Sequence, residues 1–145
     1  MIVSFLALLA GIISIALAII VIVEGTNTKS MRVAYGMFAG SVGLWAIFLG
    51  LFLTLSPNPL TGLIVFMYYS IGVLIPYAFL LFSLAYLSIP VSLKVQVFAL
   101  LPWIAMTALI ATPGMMIGAI DAGPAKTVDL VFWTYLVYSL VFVVY

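Results

Sequence analysis

A long uncharged stretch, from Leu60 to Leu87, most constrains how this chain can fold. As one continuous helix it would span roughly 42 Å at ~1.5 Å per residue, which exceeds the ~30 Å of hydrocarbon in a bilayer. Pro76 lies near its centre and lacks the amide proton that the interior of a helix needs. We therefore predict a membrane-spanning helix that tilts, kinks at Pro76 or begins in the headgroup region.

Composition extends this conclusion to the whole chain. Of its 145 residues, 68% are hydrophobic and only 5% are charged. A soluble domain carries about 25% charged residues, because its surface faces water. The sequence therefore predicts a multi-pass integral protein of the cell membrane, with the lipid bilayer as its surroundings.

Four further apolar runs accompany the central one, separated by breaks that contain charged residues or proline. Together they predict a single all-α domain over residues 1–145, a polytopic transmembrane bundle of about five spans. The predicted spans are 2–23, 33–55, 60–87, 95–113 and 130–145. Because the last run is shorter than the ~20 residues that a span needs, we expect the chain to be truncated within it.

The few basic residues predict the orientation of the bundle. The first and third breaks hold Lys29, Arg32 and Lys94, whereas the second and fourth hold only Lys126. Lys and Arg concentrate in the cytoplasmic loops of membrane proteins. We therefore predict that the first and third loops lie in the cytoplasm and that the N-terminus lies outside.

Missing residue types exclude several kinds of chemistry. The chain has no cysteine and no histidine, so we expect no cofactor and no metal site built from thiolates or imidazoles. Glu24 lies in a different loop from Asp121 and Asp129, on the opposite side of the predicted bundle, which argues against an acid–base pair. No ionisable side chain lies inside a span, which argues against a pump. A net charge of +1 offers no basic face to nucleic acid. We predict that the chain is not an enzyme.

Small residues recur at helical spacing in the first two spans. Gly11 lies in the first span, and Gly36, Gly40 and Gly43 follow in the second. Small residues let helix backbones approach closely in lipid. One interpretation is a dimer face that resembles the GxxxG motif. The other, which we favour, is packing of the first helix on the second within one chain.

The third span also carries the polar groups of a candidate ligand pocket. Tyr69, Ser70 and Tyr77 fall close together, because a seven-residue step nearly closes two turns of helix. Pro76 would serve as a hinge and free a backbone carbonyl nearby. Neighbouring helices would supply the walls, from Trp45, Trp103, Tyr135 and Tyr138. The alternative is structural, since such aromatic residues often mark the headgroup belt or bond across helices.

Three sequence patterns carry a family resemblance. They are the proline–aromatic–Tyr run at 75–86, the Gly–Trp pattern at 40–45, and the pair Leu101-Pro102. Over roughly residues 8–145 the chain resembles the N-terminal seven-helix sensory region of some histidine kinases. The resemblance implies an outside N-terminus and an output domain after the seventh helix. The sequence covers about five of the seven helices and contains no output domain.

These observations predict an integral membrane sensory or signal-relay module without catalytic activity of its own. A small or membrane-soluble ligand would act by repacking the third to fifth helices. The alternative is an accessory or structural subunit of a larger membrane complex. In either case the predicted protein partners are other membrane helices, from a second copy or from partner subunits.

Overall fold

The computed structural model describes residues 2–55, 60–90 and 92–111. These residues form helices α1 (Ile2–Glu24), α2 (Lys29–Leu55), α3 (Thr61–Tyr86) and α4 (Leu93–Ile110). The first three are long and apolar enough to cross a membrane, and α4 is shorter. The predicted helical bundle is therefore confirmed for this part of the chain, and three of its helices could span a membrane. The predicted run at 130–145 lies outside the described residues, so the count of about five spans stays a prediction, as does the side on which the N-terminus lies.

Polar caps extend α2 and α4 beyond the predicted spans. Thr28 precedes α2, and its hydroxyl accepts a hydrogen bond from the Met31 amide at 3.4 Å. Helix α2 consequently begins at Lys29 rather than at residue 33. Ser92 caps α4 in the same manner, so α4 begins at Leu93 rather than at residue 95. The hydropathy pattern misses these first turns because they contain the charged residues Lys29, Arg32 and Lys94.

Arg32 connects the beginning of α2 to the end of α1. Its guanidinium Nη1 donates a hydrogen bond to the Ile22 carbonyl oxygen at 3.1 Å. Because α1 ends at Glu24, this carbonyl belongs to the last turn, where carbonyl groups lack helical partners. A cation at a helix C-terminus is also favourable toward the helix dipole. Arg32 thus supports the tight connection between the first two helices.

Each described helix packs only against its neighbours along the chain, in the order α1, α2, α3, α4. The extent of burial rises from α1 through α2 to α3. In the most apolar window of α1, 11% of the residues are buried, against 50% in that of α3. Helix α3 is therefore the element on which the described bundle is centred.

Glycines bring the backbones of α1 and α2 into close contact. A Cβ atom at Gly11 would lie 2.7 Å from the Gly43 carbonyl oxygen, and one at Gly43 would lie 2.9 Å from the Gly11 carbonyl oxygen. Gly36 packs on the Ile22 side chain. Gly40 differs, because a Cβ atom there would meet nothing within 4 Å. Three of the four glycines thus serve contacts within the chain, and Gly40 faces open space.

Aromatic rings join α2 to α3 at the end of the bundle that holds residues 25–28 and 87–90. We call this the basic end, because Lys29, Arg32 and Lys94 are found there. The Phe38 ring stacks on the Phe82 ring, with centroids 6.0 Å apart and an interplanar angle of 9°. Phe79 and Tyr35 extend the group through tilted and edge-on contacts.

The glycine contacts predict a matched set of stabilities. Gly11→Ala and Gly43→Ala should each lower the free energy of unfolding by about 1–3 kcal/mol, since the added methyl group meets backbone atoms that cannot move aside. Gly40→Ala should leave it unchanged or raise it by up to about 1 kcal/mol, because alanine favours the helix. Unfolding in mixed micelles with increasing SDS measures all three. Equal losses for Gly11→Ala and Gly40→Ala would contradict the assigned interface.

Candidate functional site

Dense apolar packing lies where the second half of α2 meets the first half of α3. Its buried members are Phe52, Ile64, Val65, Tyr68, Tyr69 and Val73. Trp45 from α2 and Trp103 from α4 pack against this group and are partly buried. We call these eight residues the aromatic cluster. It contains three residues of the predicted pocket, namely Tyr69, Trp45 and Trp103.

A hydrogen bond crosses from α4 to α3 inside this region. The Trp103 indole Nε1 donates to the Ser70 carbonyl oxygen at 2.8 Å. Burial makes such a bond necessary, because an indole N–H in apolar surroundings needs an acceptor. The bond also fixes the register of α4 on α3. Ser70, a fourth residue of the predicted pocket, is therefore in direct contact with Trp103.

Two hydroxyl groups in the same region have no hydrogen-bond partner among the described residues. They are Ser70 Oγ and Thr107 Oγ1, and both atoms are buried. Only 6% of the Ser70 surface is exposed. Thr107 follows Trp103 by one helical turn and so lies on the same face of α4. The two hydroxyls thus belong to the α3–α4 interface, where an unpaired polar group is costly.

Thr107 was not among the residues that the sequence predicted for the pocket. The available signal was its position four residues after Trp103, which places both side chains on one face of the helix. A threonine in an apolar span is common, however, because its hydroxyl can bond to the preceding turn of its own helix. Thr54 does this, with Oγ1 donating to the Gly50 carbonyl oxygen at 2.7 Å.

The predicted hinge lies beside the aromatic cluster. Helix α3 continues through Pro76, which cannot donate a hydrogen bond to the carbonyl four residues earlier, that of Gly72. A Cβ atom at Gly72 would lie 3.1 Å from Trp45 Nε1. Trp45 in turn stacks on the Tyr68 ring, with centroids 5.4 Å apart. Pro76 lacks an amide proton and Gly72 lacks a side chain. Helix α3 is therefore least constrained in the turn next to Trp45.

The remaining predicted pocket residues lie elsewhere. Tyr77 is buried, with 8% of its surface exposed, but it is one turn or more beyond the aromatic cluster toward the basic end. Tyr135 and Tyr138 lie outside the described residues. The structure thus brings together Tyr69, Ser70 and the two tryptophans, and places Tyr77 apart from them.

The fold is a helical bundle with three helices long and apolar enough to cross a membrane. Comparisons with protein-family models, with curated proteins and with solved structures gave no match. The resemblance to the sensory region of histidine kinases therefore stays a prediction from the sequence. Function is argued below from the geometry of α3 and its neighbours.

The two kinds of polar contact at the α3–α4 interface predict different mutational effects. Trp103→Phe removes the donor to Ser70 and should lower the free energy of unfolding by about 0.5–1.5 kcal/mol. Ser70→Ala removes a hydroxyl without a described partner and should cost nothing or stabilise slightly. Unfolding in mixed micelles distinguishes the two. A loss for Ser70→Ala as large as that for Trp103→Phe would mean that the hydroxyl forms a structural bond.

Proposed function

We propose that this chain is a membrane-embedded sensory or signal-relay module that binds a small or membrane-soluble ligand between α3 and α4. The observation that carries the proposal is the pair of buried hydroxyls on Ser70 and Thr107, which have no partner among the described residues. A ligand with a donor or acceptor would pair with them and recover the free energy that their burial costs. Tyr69 and Trp103 would enclose its apolar part.

The relay would run along α3. A ligand shifts a conformational equilibrium only by binding one arrangement better than the other. The lost hydrogen bond between Gly72 and Pro76 lowers the cost of bending α3 immediately after the proposed ligand site. Phe79 and Phe82 lie beyond the bend and pack on Phe38 of α2. A change in bend would therefore repack this aromatic group and displace the basic end of α3.

The alternative is an accessory or structural subunit of a larger membrane complex. One observation supports it, the open surface at Gly40 on α2. A small residue in a membrane helix allows another helix to approach closely. Gly36 and Gly43, its neighbours on α2, are already occupied by α1. A helix of a partner subunit or of a second copy would dock at Gly40.

The relay can be tested by distance measurement. The chain has no cysteine, so spin labels at Thr26→Cys and Lys94→Cys, both exposed, report on the basic end alone. Double electron–electron resonance would be recorded in nanodiscs, with and without a phospholipid-free organic extract of the cells that express the protein. We expect the extract to shift the wild-type distance distribution, and Pro76→Ala to reduce the shift.

Matched serine variants make this test specific. Ser70→Ala should abolish the shift, because it removes the proposed ligand contact. Ser41→Ala should preserve it, since the Ser41 hydroxyl is also buried but donates to the Met37 carbonyl oxygen at 2.6 Å. An unchanged wild-type distribution, or an equal shift in Ser70→Ala, would contradict the proposal.

The accessory-subunit alternative predicts a different result. Gly40→Leu should release a stoichiometric partner that co-purifies with the wild-type chain in mild detergent, because the larger side chain closes the open surface. The fold should be retained, since nothing within the described chain lies within 4 Å of a Cβ atom there. Absence of any such partner from the wild-type preparation would remove the support for this alternative.

A further inference from the structure

A cavity of about 510 Å³ opens at the basic end of the bundle. It lies between the beginning of α2, the end of α3 and the beginning of α4, and so at the opposite end of α3 from Thr61. Its polar lining comes from Lys29, Ser30 and Gln96. Its apolar lining includes Val33, Met37 and Leu81, which lie farther along the helices from the basic end.

The backbone at the end of α3 builds one wall of this cavity. Ser88 has a φ of 56°, a left-handed conformation that usually favours glycine. The Ile89 amide donates to the Leu84 carbonyl oxygen at 2.9 Å, and the Ser88 amide donates to the Ala85 carbonyl oxygen at 3.2 Å. These two bonds form a Schellman motif, which turns the chain sharply. Ile89 and the following Pro90 are thereby held against the cavity.

The cavity exists because α2 and α4 do not pack on each other. Within the described residues, α3 contacts both helices but they do not contact one another. The first turns of α2 and α4 therefore leave a space between them, which the end of α3 closes on one side. Its volume lies within the ~300–1,000 Å³ range of small-ligand pockets. That volume suits a lipid headgroup with the first part of a chain, but not a whole lipid.

The charge around the cavity favours an anion. Lys29 lines it, and Arg32 and Lys94 lie at the same end of the bundle. No acidic side chain of the described residues lines it, because the acidic residue in those ranges, Glu24, belongs to the end of α1. Lys29 also forms no ion pair within the described ranges. A cation at the depth of the headgroup layer attracts acidic lipids.

We infer that this cavity binds the acidic headgroup of a membrane phospholipid. The phosphate lies against the Lys29 ammonium, with Ser30 and Gln96 as its polar neighbours. The acyl chain leaves past Met37 and Leu81 and continues along the apolar surface of the helices. The arrangement of a charged rim above an apolar wall distinguishes an amphiphile from a soluble phosphate, which would gain nothing from the apolar wall.

Lipid retention on the intact chain tests this assignment. The protein in mild detergent would be mixed with palmitoyl-oleoyl phosphatidylglycerol or with the phosphatidylcholine of the same chains, and bound lipid would be counted by native mass spectrometry. We expect the wild type to retain phosphatidylglycerol about tenfold more than phosphatidylcholine, because the choline cation of phosphatidylcholine offsets the attraction between its phosphate and the Lys29 ammonium. Lys29→Gln should abolish the preference. Lys94→Gln should keep it, because Lys94 lines a separate groove on α4.

Two further arms identify the source of the phosphate and the place of binding. Glycerol phosphate in large excess should not displace phosphatidylglycerol, and displacement at similar concentrations would overturn the lipid assignment.

Ala85→Leu, at another lining position, should reduce retention by filling the cavity. Equal loss in Lys29→Gln and Lys94→Gln, or full retention in Ala85→Leu, would show that lipid binds elsewhere. Ser70→Ala should leave retention unchanged, so this inference and the proposed ligand site fail independently.

Discussion

Lipid hydrocarbon offers no hydrogen-bond partner to a peptide group, and this constraint underlies every feature of the bundle. It forces the long apolar runs into helices, which satisfy their own backbone groups. It also removes the hydrophobic drive for the helices to associate, so contact must come from close packing and from a few polar bonds. The bundle uses both solutions in different places. Helix α1 approaches α2 through the paired backbones of Gly11 and Gly43. Helix α4 is joined to α3 by the bond from Trp103 to the Ser70 carbonyl. The first contact depends on shape alone, whereas the second depends on one donor and its acceptor.

Helix α3 combines the greatest burial with the greatest departure from ideal helix chemistry. It contains Pro76, which leaves the Gly72 carbonyl without its usual donor, and Ser70, whose hydroxyl has no partner among the described residues. Such defects cost free energy wherever water is excluded. They are tolerated here because packed aromatic rings lie on both sides of them, Tyr68 and Tyr69 before and Phe79 and Phe82 after. A helix supported at both ends of a weak segment can bend within that segment without losing its neighbours. This combination is the physical basis of the proposed relay.

Hydropathy was sufficient to predict the helices, and it placed most of their ends within a few residues of the observed ones. It could not predict that Thr28 and Ser92 would extend α2 and α4. Their hydroxyls act by accepting a hydrogen bond from a backbone amide, and hydropathy does not report such bonds. Glycine spacing indicated an interface but not its extent, because Gly36, Gly40 and Gly43 look alike in sequence. Only the path of α1 shows that Gly40 is left open. Thr107 was missed because a threonine in an apolar helix usually bonds to the preceding turn of its own helix. The cavity was missed because the absence of a contact between α2 and α4 leaves no mark on the residues of either helix.

The two proposed sites lie toward opposite ends of α3, and this has a thermodynamic consequence. The proposed ligand site between α3 and α4 would act by bending α3 after Gly72, which would displace Ile89 and Pro90 at its basic end. The same two residues form a wall of the cavity assigned to an acidic lipid. A lipid that fits the cavity in one arrangement of α3 therefore stabilises that arrangement, and coupling between two sites is always reciprocal. The bound ligand would change the affinity of the cavity for lipid by some factor, and bound lipid would change the affinity for the ligand by the same factor. Membrane composition would then set the resting equilibrium between the two arrangements of α3, and in a bilayer poor in acidic lipids the proposed relay would start from a different equilibrium.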